Sequence, residues 1–409
     1  VSGVTQVKGG NRVKVLVLNC GSSSLKYQLF DMAGEKVMAK GLVERIGIEG
    51  GRIKHTKTGM DSVVSDSDFP NHKVAIKAVL DCLLHGEHGS LQSLEELRAV
   101  GHRVVHGGEK FAKSVVVTAD VLRTIDECTP FAPLHNPANL LGIKSMMEIL
   151  PKVPQIAVFD TAFHQTMPER AFIYGVPYHY YETYRVRRFG FHGTSHLYVA
   201  HRTAEMLGKP LENLKIITCH LGNGSSIAAV DGGRSVDTTL GFGTVSGVLM
   251  GTRCGDVDPV AMLHLMQEEG LDSKAMSHVL HKDSGVLGIS GISSDLRDVE
   301  DAAAGGNRRA KLALDILCYG VKKYIGAYAA AMGGLDAVVF TAGVGENSIL
   351  VREMVCEGLE FLGALFDKSK NAVRGKEAFI CKPDSRVALL VVPTNEELVI
   401  ARDTLSLVS

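Results

Sequence analysis

Hydrophobic positions along the chain switch repeatedly between two periods. Short runs of β-branched and aliphatic residues at Val13–Leu18, Ile156–Phe159, Ile216–Thr218 and Ala337–Phe340 predict strands. Apolar residues at helical spacing over Val74–Leu84, Leu197–Leu207, Arg309–Met332 and Ser348–Leu359 predict amphipathic helices between them. Strands and helices alternating in this way describe an α/β protein.

One internal echo organises the chain further. The stretch from Val15 to Asp31, with Asn19-Cys20-Gly21-Ser22-Ser23-Ser24 at its middle, reads as a strand, a tight small-residue turn and a returning strand. The stretch from Ile216 to Asp231, with His220-Leu221-Gly222-Asn223-Gly224-Ser225-Ser226 at its middle, repeats that design in the second half. A hairpin of the same kind opening each half suggests a duplicated α/β domain facing its copy across a cleft. Two unrelated Gly/Ser hairpins remain the simpler alternative at this point.

At 409 residues the chain is too long for one ordinary core, and two domains are the starting expectation. Lys and Arg number 44 against 45 Asp and Glu, so no net field draws the molecule onto nucleic acid or an anionic membrane. Anions must therefore be held by local clusters. Residues 1–12 are polar and contain Gly, and they read as a tail, neither signal peptide nor anchor. No apolar run approaches the roughly 18 residues needed to span a bilayer, so a soluble protein is expected. Eight cysteines are scattered without a C-x-x-C pair and several sit in apolar runs, the usage of reduced core thiols in a cytoplasmic protein.

Three turns could cradle phosphate, because small residues let backbone N–H groups approach oxygen closely. Two are the hairpin tips, the first with Lys26 just beyond it. The third, Thr341-Ala342-Gly343-Val344-Gly345-Glu346-Asn347-Ser348, follows a strand and opens a helix, where amides and helix dipole favour an anion. None matches the P-loop pattern, and the third lacks the last Gly of a dinucleotide fingerprint.

Around these turns His, Arg and Asp gather beside Gly, at Gly101–Gly108, Leu134–Pro137, Phe159–His164, Gly190–His196 and Met250–Asp256. Arg offers a planar fork to carboxylate and phosphate, and His can donate to a transferring phosphoryl group, so these clusters suit anionic substrates. His192 and His196 could be read as a metal pair at helical spacing, but the Glu of H-E-x-x-H is missing and Thr194 or Ser195 reads as a helix N-cap. His192 is taken as a catalytic donor and His196 as structural.

Taken together, Asn19–Lys26, Gly101–Gly108, Phe159–His164, Phe191–His196, His220–Ser226, Gly251–Arg253, Gly343–Asn347 and Pro393–Glu397 closely resemble the acetate kinase family, in unbroken order from about Val13 to about Thr404. The resemblance implies duplicated actin-like (ribonuclease H-like) ATPase domains facing each other across a cleft. It implies a first domain of residues 13–162 plus 395–409 on the metal and acceptor side, and a second of residues 163–394 on the nucleotide side. It implies reversible in-line transfer of the ATP γ-phosphoryl group to acetate, giving acetyl phosphate and ADP, with Mg²⁺ as cofactor and Mn²⁺ able to replace it. It also implies a homodimer with no nucleic-acid or membrane partner.

By that resemblance Asn19 and Glu396 form the metal site and Arg103 holds the carboxylate substrate. His135, His192 and Arg253 surround the phosphoryl group in flight, with Asp160 near metal and acceptor as an organiser of metal or water. Ser24, Lys26, His220, Leu221, Gly222, Asn223 and Gly224 contact the nucleotide, and so do Asp295, Leu296, Arg297, Gly343, Val344, Gly345, Glu346 and Asn347. Val105, Leu134, Phe191 and the segment at Thr244 line a pocket for the acyl group.

The chemistry fits independently. A carboxylic acid with a pKa near about 4 is ionised at neutral pH, so the acceptor needs no general base. Positioning and charge neutralisation must do the catalysis. A propionate or other short-chain acyl kinase is the nearest alternative. A sugar kinase would need an Asp base and a polar pocket, and a non-catalytic ATPase would not need Arg103 and Arg253. One segment departs from the family: Phe242-Gly243-Thr244-Val245-Ser246-Gly247 stands where members usually read Phe-Thr-Pro-Leu-Glu-Gly. Exchanging Pro for Thr244 removes a fixed φ and adds a hydroxyl, so a shifted acyl preference is expected.

Overall fold

The computed structural model describes residues 13–409, so the expected tail over residues 1–12 lies outside the described residues. The chain divides into two compact units. One runs to Ala162 and regains the chain at Glu396–Ser409, and the other spans Phe163–Asn395.

The first unit is built on eight strands: β1 (Lys14–Cys20), β2 (Ser24–Asp31), β3 (Lys36–Glu44), β4 (Arg52–Lys57), β5 (Val63–Asp66), β6 (Leu97–Val104), β7 (Val115–Val116) and β8 (Gln155–Phe159). They form one sheet in the order β5-β4-β3-β2-β1-β6-β8-β7. β1 is buried along nearly its whole length and accordingly carries the apolar run Val15–Leu18, whereas β2 alternates buried Leu25, Tyr27 and Leu29 with Lys26 and Gln28. Helices α1 (His72–Leu84) and α2 (Asn136–Ile149) pack against each other beside the sheet. Asn71 caps α1 by accepting from Val74 N–H, and Pro137 sits in the first turn of α2, where a missing N–H costs nothing. Ile76, Val79, Leu80 and Leu83 of α1 close the core over Leu16, Leu18 and Leu29, each worth roughly 1.5–3 kcal/mol on full burial.

The C-terminal helix, Glu396–Ser406, lies along β1, β6 and β8. Gly101 in β6 allows that approach: a Cβ there would stand 2.3 Å from Thr404 Oγ1 and 2.7 Å from Ile400 Cγ2. The helix start at Glu396 is thereby fixed near the carboxyl ends of the parallel strands.

The second unit has six strands: β9 (Lys215–Leu221), β10 (Ser225–Asp231), β11 (Arg234–Thr238), β12 (Ala337–Thr341), β13 (Ala378–Phe379) and β14 (Ala388–Val391). Their order is β11-β10-β9-β12-β14-β13. β9 runs antiparallel to β10 and parallel to β12, β12 runs parallel to β14, and β13 is antiparallel at the edge. The strands β3-β2-β1-β6-β8-β7 of the first unit have the same order and directions. The two hairpins are thus matching strands of one duplicated topology.

Helices of this unit include α3 (Gly193–Leu207), α4 (Pro259–Glu268), α5 (Leu296–Ala304), α6 (Arg308–Met332), α7 (Ala342–Asn347) and α8 (Ile349–Cys356). α6 has 25 residues, capped by Asn307 and stopped by Gly333 at φ +64°. Its buried stripe, Ala310, Ala313, Leu314, Leu317, Val321, Ile325 and Tyr328, follows the helical spacing read in the sequence. All eight cysteines are free. Among the described residues no helix is long and apolar enough to cross a membrane.

Candidate active site

In the first unit the side chains of interest stand at the carboxyl ends of three adjacent parallel strands, where open α/β sheets bind ligands. Asn19 is at the end of β1, Arg103 at the end of β6, and Asp160 directly after β8. Arg103 donates from Nε to Asp160 Oδ1 at 2.9 Å and from Nη2 to Oδ2 at 2.6 Å, so both carboxylate oxygens are taken by one guanidinium. Burial pushes the Asp160 carboxyl above its ordinary range, Arg103 pulls against that, and nearby Glu396 adds to the upward push. The Glu396 carboxylate lies 4.0 Å from Arg103 Nε. His135, just ahead of α2, exerts a further field on Asp160.

Buried Asn139 ties this rim together, accepting from Val105 N–H at 3.1 Å and donating to Cys20 O at 2.8 Å. Asn136 likewise accepts from His106 N–H and donates to His106 O. Sequence reasoning marked the Leu134–Pro137 segment but missed these two amides, whose work only the packing reveals. Lys26 sits opposite Asn19 on β2, and Asn19, Lys26 and Glu397 line a cavity of about 240 Å³. Ser24 begins β2 outside that lining. Of the acyl-pocket residues, Val105 is buried in this unit while Leu134 is exposed.

Among the described residues no group of three or more His, Cys, Asp and Glu side chains could hold a metal. Mg²⁺ commonly keeps water and substrate phosphate and takes only one or two protein oxygens. The amide of Asn19 and the partly exposed carboxylate of Glu396 are hard oxygen donors that suit such a site.

In the second unit His192 has φ +57°, a left-handed conformation uncommon for a side-chain-bearing residue, and α3 begins immediately after it. Its ring stacks on His220 at 4.2 Å between centroids, and its Nδ1 lies 2.9 Å from Ser226 Oγ. The neighbouring His196 is buried and bonded through both ring nitrogens, to Thr218 Oγ1 and Ser226 Oγ, each at 2.7 Å. It therefore has no nitrogen left for a metal. The N-cap expected of Thr194 or Ser195 is not formed. The helix already starts at Gly193, and the Ser195 hydroxyl instead bonds His220 Nδ1 and Thr394 Oγ1.

Arg253 reaches the same place as His192. A methyl group on Gly224 would stand 3.4 Å from Arg253 Nη1 and 3.7 Å from Nε2 and Cε1 of His192. Arg253 Nη1 donates to the carbonyl of Thr244 at 3.0 Å, and burial lowers the guanidinium pKa. Phe191 is fully buried in this unit, with its carbonyl bonded to His164. Thr244 lies in the departing segment.

Beside this point is a cavity of about 450 Å³. It brings together Leu221, Gly222, Asn223, Asp295, Leu296, Arg297, Gly343, Val344 and Asn347. His220, Gly224, Gly345 and Glu346 lie outside the lining. Gly345 is beneath the turn with its carbonyl accepting from Arg352, and Glu346 accepts from Thr394 N–H. Asp295 caps α5 and pairs with Arg297, which holds its carboxyl down at about 2. Arg352 was not anticipated. It is fully buried and donates to Gly345 O, Asn371 Oδ1, Asn371 O and Val373 O, clamping the turn from below, and burial lowers its pKa to about 10. The wall at Val286 was also missed, since the short helix Gly285–Ser290 that carries it has no phosphate pattern, whereas Met250 and Gly251 belong to the Met250–Asp256 segment that the sequence marks.

With this geometry in hand, a family model described as the acetokinase family matches residues 14–402. The chain belongs to the acetokinase family. It is 59% identical over 396 residues to an acetate kinase of Carboxydothermus hydrogenoformans, covering 97% of this chain and 99% of that one. It is 58% identical to an acetate kinase of Thermotoga maritima, covering 97% and 99% of the two chains. The crystal structure of Porphyromonas gingivalis acetate kinase superposes with a TM-score of 0.94 at 51% identity, covering 97% of this chain and all of that one. A propionate kinase from Francisella tularensis follows at TM-score 0.90 and 39% identity, with the same coverage. Both the mixed sheets and the duplicated strand order are therefore those of an acetokinase.

Proposed function

We infer that this acetokinase transfers the γ-phosphoryl group of ATP to acetate, reversibly forming acetyl phosphate and ADP. The observation that carries the reading is the full-length identity of 57–59% to enzymes named acetate kinase. Arg253 and His192 converging on the Asn223–Gly224 turn add physical support.

The second unit holds the nucleotide, with its phosphates at Gly222–Gly224 and the rest of it in the 450 Å³ cavity. The first unit offers Arg103 to the acceptor carboxylate, with Asp160 fixing the guanidinium plane. Acetate is already ionised, so no residue needs to remove a proton. Negative charge that spreads over the phosphoryl oxygens in a loose transfer meets Arg253 and a donor nitrogen of His192. Asn19 and Glu396 would hold Mg²⁺, which when bound neutralises phosphate charge and orients the transferring group.

The enzyme works in the cytoplasm, where reducing conditions keep its eight free cysteines as thiols. It is a homodimer: α4 has no buried residue, and Leu312, Ile316 and Tyr319 make an exposed apolar stripe on α6 that a second copy would cover. Coupled assay of ADP release with acetate, propionate and no acceptor tests the activity. Turnover independent of carboxylate would refute it. Sedimentation equilibrium tests the dimer.

A further inference from the structure

A line of polar side chains leads through the interior of the second unit to His192. Thr218 Oγ1 lies 2.7 Å from His196 Nδ1, His196 Nε2 lies 2.7 Å from Ser226 Oγ, and Ser226 Oγ lies 2.9 Å from His192 Nδ1. Thr218, His196 and Ser226 are fully buried, so none can exchange these partners for water.

The direction of the protons along this line follows from counting donors. A neutral imidazole carries one N–H and one bare nitrogen, and a hydroxyl carries one proton. His196 is neutral: burial holds it well below the usual histidine range, and the His164 and His220 rings, at 5.6 and 6.1 Å, oppose a charge as well. Ser226 stands between two ring nitrogens, so it gives its proton to one and accepts from the other. If His192 donated from Nδ1, Ser226 would donate to His196 Nε2, and His196 Nδ1–H would donate to Thr218. Among the described residues the buried Thr218 hydroxyl proton would then have no acceptor, at a cost of about 1–3 kcal/mol. In the reverse direction every proton is used: Thr218 donates to His196 Nδ1, His196 Nε2–H donates to Ser226, and Ser226 donates to His192 Nδ1. The proton of His192 then sits on Nε2, the atom that faces Gly224 together with Arg253 Nη1.

We propose that Thr218, His196 and Ser226 are positioning residues that lock His192 in its Nε2–H tautomer, presenting a fixed hydrogen-bond donor to the phosphoryl group at the Asn223–Gly224 turn. The proposal rests on the phosphoryl-transfer reading for its purpose, but the tautomer is set by the fold alone. The strained φ of His192 agrees with a ring whose direction is imposed by its surroundings.

Two measurements on the full-length protein test it. Nitrogen-15 NMR of the histidine rings at neutral pH, with ADP bound, should find His192 and His196 both protonated on Nε2 and bare on Nδ1. A proton on Nδ1 of either ring would overturn the proposal. Ser226→Ala should lower kcat about tenfold to a hundredfold, the range for loss of a group that orients a functional imidazole. KM for acetate and nucleotide should stay within about threefold, since the lost interaction belongs to the transition state. Thr218→Val should lower kcat in the same way, and Thr218→Ser should restore it. A Ser226→Ala enzyme with wild-type kcat, or one altered in KM alone, would also overturn the proposal. If the variants do not fold, the NMR result decides. Absence of acetate-dependent ADP release by the unaltered chain would refute the kinase reading instead, whichever tautomer is found.

Discussion

Removing Arg103 should damage stability and catalysis for separate reasons, and the two can be measured apart. Arg103→Ala leaves the Asp160 carboxylate, 1% exposed, without the fork that satisfies both its oxygens. Loss of one partner from a buried pair costs about 3–5 kcal/mol, because the remaining charge is uncompensated. Asp160→Asn in the same chain removes that charge, so the double variant should recover at least half of the lost stability in urea titration. The deficit of the single variant should depend on pH. Burial already raises the folded-state pKa of Asp160 above its unfolded value of about 3.9, and loss of Arg103 raises it further. The folded state then binds more protons than the unfolded one, so stability falls as pH rises through this window. The deficit should accordingly be largest at neutral pH and shrink near pH 5. Turnover follows another rule: both variants should lose two or more orders of magnitude in kcat/KM for acetate, since neither retains the cation that binds and orients the acceptor. An equal stability deficit at both pH values, or recovery of turnover in the double variant, would refute the reasoning.

Other substitutions have equally distinct outcomes. Glu396→Ala should raise the Mg²⁺ concentration for half-maximal rate by at least about tenfold while leaving the order of acyl preference unchanged. An unaltered Mg²⁺ titration would count against this. Arg253→Ala should lower kcat by about two to three orders of magnitude while ADP affinity, read by calorimetry, changes little, because Arg253 lies outside the nucleotide cavity lining. Gly243→Thr with Thr244→Pro should strengthen the preference for acetate over propionate by about ten- to a hundredfold in kcat/KM at most, the value of one methylene. A Cβ at Gly243 meets no atom within 4 Å, and Pro at 244 keeps the carbonyl that holds Arg253, so this variant should fold normally. Matching kcat/KM ratios in parent and revertant would mark the segment as neutral.

The parts of the molecule that were legible in the sequence are those whose causes are local. The β1–β2 and β9–β10 hairpins announce themselves because strand, turn and return are contiguous in the chain, from Lys14 to Asp31 and from Lys215 to Asp231. The stripe of α6 is equally local, and its ends are marked by Asn307 and Gly333. What escaped notice depends on pairs far apart in the chain. Arg352 finds its partners at Asn371 and Val373, and nothing in the residues around it distinguishes it from a surface arginine. Ser195 was misread as a cap because Ser at a helix start usually bonds its own backbone, whereas here His220, twenty-five positions away, competes successfully. Ser226 looked like one more small residue of a phosphate turn. Its hydroxyl instead joins two histidines more than thirty positions upstream or at that distance.

The two arginines that sequence reading grouped together are held in physically opposite ways. Arg103 is paired with a carboxylate through two charge-assisted bonds and has a second carboxylate 4.0 Å away, so its positive charge is largely answered within the protein. Such a group is rigid and well aimed, and it can accept an ionised acetate by rearranging little. Arg253 is held by a neutral carbonyl, burial disfavours its charge, and among the described residues no carboxylate pairs with it. Its field is therefore unspent until negative charge arrives. An interaction accelerates the chemical step only if it is stronger in the transition state than before it. By that rule, in the proposed transfer, Arg253 would act on charge that develops during the step, and Arg103 would bind and orient what is charged from the outset. In the proposed reaction Asp160 would act chiefly by keeping Arg103 aimed, because both of its oxygens are already committed to the guanidinium.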